Sequence, residues 1–142
     1  MANIMLAKGN PFKILCEQGG GTLHKIIFYA DRNGRRPVVE WLRELKSKKD
    51  KESRVRYAKI NEYIEALKQY GTAIGEPYIK HIGGDIWELR PTKDRFMFAT
   101  WTGSEFIIIS HFVKKTQKTP SREKENAKRL LKEYRERRGE NG

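Results

Sequence analysis

Two hydrophobic periods alternate along this chain. Residues 25–30, KIIFYA, are β-branched and aromatic and predict a short strand. Asp31-Arg32-Asn33-Gly34 is turn chemistry, because Asn-Gly accepts positive φ. Pro37 stands where a first helical residue belongs, and Val38, Trp41, Leu42 and Leu45 then share one helical face. The charged run 46–51 breaks that helix. Ser53 is placed to cap a second helix, with Ile60, Tyr63, Ile64 and Leu67 as its stripe and Gly71 as its terminator. The short link between the helices predicts a hairpin covering one face of a sheet. Residues 72–84 carry Gly75, Pro77, Gly83 and Gly84 and read as a loop.

Beyond that loop, strand-like runs appear at 85–90, 95–101 and 105–113. Their short connections predict an antiparallel meander. Phe106, Ile107, Ile108 and Ile109 are apolar in succession, which predicts a central strand covered on both faces. Thr119 is read as the cap of a last helix, Pro120 as its first residue, and Ala127, Leu130, Leu131 and Tyr134 as its stripe. The order strand, helix, helix, three strands, helix predicts one α+β domain over residues 25–138, with helices packed on a small sheet and 139–142 as a tail. Residues 1–24 show no period, contain Gly19-Gly20-Gly21, and read as a poorly ordered leader. Consecutive Gly codons can resemble a bacterial ribosome-binding site, and Leu23 can be encoded by an alternative start codon. A native start at residue 23 is therefore an expectation that the gene sequence and an N-terminal mass would test.

Charge changes the picture. The 142 residues include 30 Lys/Arg against 18 Asp/Glu, a formal net charge of +12. Residues 114–138 alone hold eleven Lys/Arg and four Glu, a net +7. Such an excess points to an acidic partner, nucleic acid first, then an anionic membrane or an acidic protein. Cys16 is the only cysteine, which excludes an intramolecular disulfide and a cysteine zinc cluster and fits a reducing cytoplasm. No apolar run approaches the roughly 18 residues of a membrane span.

The sequence has no phosphate loop, no paired-histidine metal motif and no GxSxG elbow, so no cofactor is expected. The candidate chemistry is cationic: Arg90, Arg95, His111, Lys114, Lys115 and Lys118 lie in or just after the meander. Antiparallel pairing brings Arg90, Arg95 and the far end of the last strand to one end of the sheet. Like charges gathered this way need an anion between them, and a phosphodiester is the simplest. Duller roles stay open. Arg90 could pair with Asp94 or Glu88, Arg95 with Asp94 or Glu105, and His111 could hold a backbone partner. Trp87 and Trp101 are read as core.

The segments IIFYADRNGRRPVVEWLREL, GEPYIKHIGGDIWELRP, DRFMFATW and SHFVKKTQKTPSREKENAKR together resemble the RelE/ParE superfamily of bacterial type II toxins, and most closely its HigB-like, phage-derived branch. The resemblance spans residues 25–134. It implies a RelE-like fold and a metal-independent endoribonuclease that cuts mRNA in the ribosomal A site. It also implies a cognate antitoxin, usually a helix-turn-helix protein. The resemblance assigns Arg95 to the scissile phosphate and Lys114 or Lys115 to the developing charge or the leaving oxygen. It leaves His111 as an acid or base, and gives RNA positioning to Arg90, Lys118 and Arg122. RelE itself relies on a tyrosine near its C-terminus; Tyr134 lies on the apolar stripe here and is read as core. Two alternatives share the cations or the fold: a ParE-like gyrase poison without nuclease activity, and a non-enzymatic RNA-binding module.

Overall fold

The computed structural model describes residues 23–139. Most of the expected leader, and residues 140–142 of the tail, lie outside the described residues. The elements run β1 (Lys25–Phe28), α1 (Pro37–Ser47), α2 (Lys51–Tyr70), a 3-10 turn (Gly71–Ile74), β2 (Ile79–Gly83), β3 (Ile86–Leu89), β4 (Asp94–Thr102), β5 (Glu105–Val113) and α3 (Ser121–Arg137). The sheet order is β1-β5-β4-β3-β2, with β1 parallel to β5 and the other neighbours antiparallel. This is the expected α+β architecture, with the meander extended by one strand at each side.

The helices divide between the two faces of the sheet. On one face α1 and α2 bury Val38, Leu45, Ile60 and Leu67 against Leu89, Phe96, Phe98 and Ile108. On the other, α3 lays Ala127, Leu131 and Tyr134 against Ile86, Met97, Ala99, Ile107 and Ile109. Phe96 to Ala99 have no exposed surface at all, which explains why β4 reads as continuous apolar sequence rather than an alternation. Tyr134 packs edge-on against Trp101 and is core, as its stripe position predicted.

The structure corrects several local expectations. Residues 79–83, read as loop, form the edge strand β2. A four- to five-residue edge strand between Gly and Pro punctuation carries too little periodic signal to be separated from a loop. Helix α2 is capped by Asp50, whose carboxylate accepts the Ser53 backbone N–H at 2.9 Å, so Ser53 is the capped residue and not the cap. Helix α3 begins at Ser121 with Pro120 outside it in extended backbone, and Thr119 does not cap it. The middle strand is β4; β5 lies beside it and is covered on both faces. His24, placed in the leader by the sequence, donates its backbone N–H to the Lys68 carbonyl and stacks near Phe106.

Among the described residues no helix is long and apolar enough to cross a membrane.

Candidate anion-binding site

The β3–β4 turn builds the site. Arg90 follows β3, and the turn closes with the Asp94 N–H donating to the Pro91 carbonyl at 2.9 Å. Arg95 is then the second residue of β4. The end of β5 returns to this turn, where the Lys114 N–H donates to the Lys93 carbonyl at 2.8 Å. The chain bends through residues 116–118 before α3 begins. The result is a concavity on the α3 face of the sheet, lined by Arg90, Arg95, Lys114, Lys115 and Lys118 together with Glu88.

Each side chain has a definite environment. Arg95 is 6% exposed, and its Nη1 donates to the Thr92 and Asp94 carbonyls at 2.8 and 2.9 Å. Its other N–H groups make no hydrogen bond among the described residues. Burial and the neighbouring Arg90 charge lower its pKa, partly opposed by Glu88 and Asp94, although a guanidinium keeps its proton throughout the working range. Arg90 Nε is buried with no hydrogen-bond partner and lies 3.4 Å from Glu88 Oε1. This is the Arg90–Glu88 pairing that the sequence left open. Lys114, Lys115 and Lys118 have no carboxylate partner among the described residues. Five cations thus line one concavity with a single carboxylate among the described residues.

His111 is not among them. It stands at the same end of the sheet, opposite Phe96, but its side chain lies on the α1/α2 face. The cause is a β-bulge. Met97 pairs with Ser110 and Phe98 with Ile108, so Ile109 is an extra residue. Period-two alternation from Ile107 and Ile109 puts His111 beside Arg95; one inserted residue reverses that. There His111 stacks on Trp41, with ring centroids 3.7 Å apart. Its Nε2–H donates to Asp94 Oδ1 at 2.8 Å, since a carboxylate can only accept. Arg56 completes the group with bonds of 3.0 and 2.6 Å to the same carboxylate. Burial pushes the Asp94 carboxyl up, but the His111 and Arg56 hydrogen bonds and the Arg56 charge outweigh it and hold it below the usual range.

Arg122 also stands apart from the concavity. Its side chain is 84% exposed, 4.0 Å from Glu123. Sequence reasoning missed Arg56 and underused Glu88 and Thr119. Arg56 had a signal: it lies four residues before Ile60, in phase with the buried stripe of α2, where an unpaired charge could not stay. Glu88 had one as well, as a carboxylate between Trp87 and Leu89 in an apolar strand. Trp87 and Trp101 pack against the two cores, as read.

Among the described residues no three His, Cys, Asp or Glu side chains come together as metal ligands. No curated protein matches this chain. A family model does match it, over residues 40–132, a span that includes most of α1, all of α2, the whole meander and most of α3. The chain belongs to the family described as phage derived protein Gp49-like (DUF891).

Proposed function

We propose that this protein is the toxin of a type II toxin-antitoxin system and cleaves mRNA on the ribosome. The observation that carries the reading is the concavity itself, which five cations and one carboxylate line together, with its buried arginine Arg95 fixed by two backbone carbonyls. Membership of the Gp49-like family supports it, since that family is associated with RelE- and HigB-like toxins.

In this reading a phosphodiester occupies the space between Arg95 and the lysines. The neighbouring 2′-oxygen bonds to phosphorus as its proton passes to solvent water, and the P–O5′ bond breaks. The products are a cyclic phosphate and a free 5′-hydroxyl. Negative charge grows on the phosphoryl oxygens during attack, and the preorganised Arg95 guanidinium meets it there. A lysine ammonium, Lys114 or Lys115, shares that charge and supplies the proton to the departing 5′-oxygen. Arg90 and Lys118 hold flanking phosphates, and Arg122, on the first turn of α3, extends the path. His111 takes no part, because the sheet lies between it and the phosphate. The partners are the ribosomal A site with its mRNA and a cognate antitoxin, a helix-turn-helix protein that covers part of this basic end.

Induced expression in a bacterium, with mRNA 5′ ends mapped before and after, tests the proposal. The expected outcome is growth arrest with new 5′-hydroxyl ends inside translated frames, abolished by Arg95→Ala. Arrest without new ends would replace it with gyrase poisoning, and arrest unaffected by Arg95→Ala would remove the clamp.

A further inference from the structure

Glu88 is out of place by charge. It is 2% exposed, and among the described residues it is the only acidic side chain lining a concavity that Arg90, Arg95, Lys114, Lys115 and Lys118 also line. A carboxylate at such a site repels a phosphate. If Glu88 acted through its charge alone, it would weaken binding of the anion that the cations await.

The geometry gives it a different task. One oxygen, Oε2, accepts the Thr119 hydroxyl at 2.8 Å. The other, Oε1, lies 3.4 Å from Arg90 Nε, a buried nitrogen with no other partner. Thr119 closes the loop that carries Lys114, Lys115 and Lys118, immediately before Pro120 and α3. Glu88 therefore joins three pieces of chain: β3, the arginine that follows it, and the far end of the basic loop. Thr119 spends its hydroxyl on this bond instead of on a helix cap, which is why the capping role expected from the sequence is absent.

We infer that Glu88 is a positioning residue, a buried counter-charge that orients Arg90 and ties the basic loop over the concavity so that the cations converge on one phosphate. The inference rests on the RNA reading above for its ligand, and on the Glu88–Thr119–Arg90 geometry for its substance. It makes a prediction whose sign opposes simple electrostatics. Glu88→Gln removes one negative charge from the site, which by itself strengthens RNA binding. As a positioning residue, its loss weakens binding instead.

The test measures binding of a short single-stranded RNA oligonucleotide to the full chain by fluorescence anisotropy, at several salt concentrations. Glu88→Gln is expected to bind about tenfold more weakly than the unmodified protein, the effect of losing roughly one oriented contact. Thr119→Val removes the hydroxyl without touching charge and is expected to weaken binding in the same direction, with Thr119→Ser restoring it. The double variant is expected to lose less than the sum of the two single losses, because Gln has one accepting oxygen for Thr119 and Arg90 where Glu has two, so each change disturbs the same tie. Equal or tighter binding by Glu88→Gln overturns the inference, as does Thr119→Val binding like the unmodified protein. If the unmodified protein binds no RNA, the RNA reading falls, and the tie is judged on urea unfolding of the same variants. Sub-additive losses in the double variant then support it, and additive losses sink it.

Discussion

Arg95 and His111 lie within one step of each other on the β4–β5 ladder, yet they face opposite sides of the sheet and answer to different forces. His111 serves the fold. It holds a fully buried carboxylate and stacks on Trp41, tying β5 to α1 and α2. His111→Ala should therefore lower unfolding free energy by about 1.5–3 kcal/mol, the range for a hydrogen bond to a charged group. The folded fraction should keep whatever nuclease activity the unmodified protein shows, as the proposed function requires. Arg95→Ala should show the reverse, with activity down about 100- to 1,000-fold, the range for loss of one oriented charge stabiliser, and little change in chemical denaturation. Measuring both quantities on both variants separates the roles. Asp94 adds a pH dependence. Its folded pKa lies below its unfolded value, so its stabilisation is fully present above the unfolded pKa of about 4 and is lost as pH falls through the lower folded value. Relative to the unmodified protein, Asp94→Asn should show its full deficit at neutral pH, and the gap should close progressively in acid. A gap that stays constant to pH 2 would show that Asp94 carries no such linkage.

The elements were legible where one period ran long enough. The stripes of α1, α2 and α3 and the apolar runs of β4 and β5 each fix an element and its buried face, because burial leaves few alternatives. What was not legible depended on a single residue or on distant pairing. One inserted residue, Ile109, decides which face His111 occupies, and no sequence pattern marks it, since isoleucine suits both faces of a doubly covered strand. The parallel β1–β5 pairing joins strands separated by most of the domain. The clustering of Arg90, Arg95 and the lysines was legible, because a hairpin and an antiparallel return fix it regardless of register parity. The tie through Glu88 and Thr119 was not, since it needs the loop's path. The junction after α2 carries a sharper prediction. Gly71 has φ +60, and a Cβ placed there would sit 3.1 Å from the His24 ring. Gly71→Ala should cost at least about 1 kcal/mol in urea unfolding. Part of that cost should return in the Gly71→Ala, His24→Ala double variant, and no return would mean that His24 does not pack at this corner.

At the scale of the whole molecule the question is which of the 30 cations matter, since a net +12 spread evenly would give only weak, unfocused attraction. Neutralisation within the protein is uneven. Along α3 several cations have neighbours of opposite sign: Arg137 with Glu133, Lys132 with Glu136, Lys128 with Glu125. Arg135 reaches Asp85 across to the β2–β3 turn, and on the far side of the molecule Arg35 holds Glu40. Lys114, Lys115 and Lys118 at the concavity have no such partners among the described residues, so their charge stands unneutralised beside Arg90 and Arg95. A phosphate chain displacing counterions there releases about 0.7 of an ion per neutralised charge on single-stranded RNA. The slope of log binding constant against log salt should therefore become shallower by about 0.7 in Lys115→Ala, and by a similar amount in Arg122→Ala if the RNA path continues onto α3. Lys132→Ala removes the same formal charge from a paired position and should leave the slope nearly unchanged. Equal slopes in all three variants would mean that binding follows total charge, and the concavity would then have no special claim on RNA. A change confined to Lys115→Ala would end the path at the loop and leave Arg122 outside it.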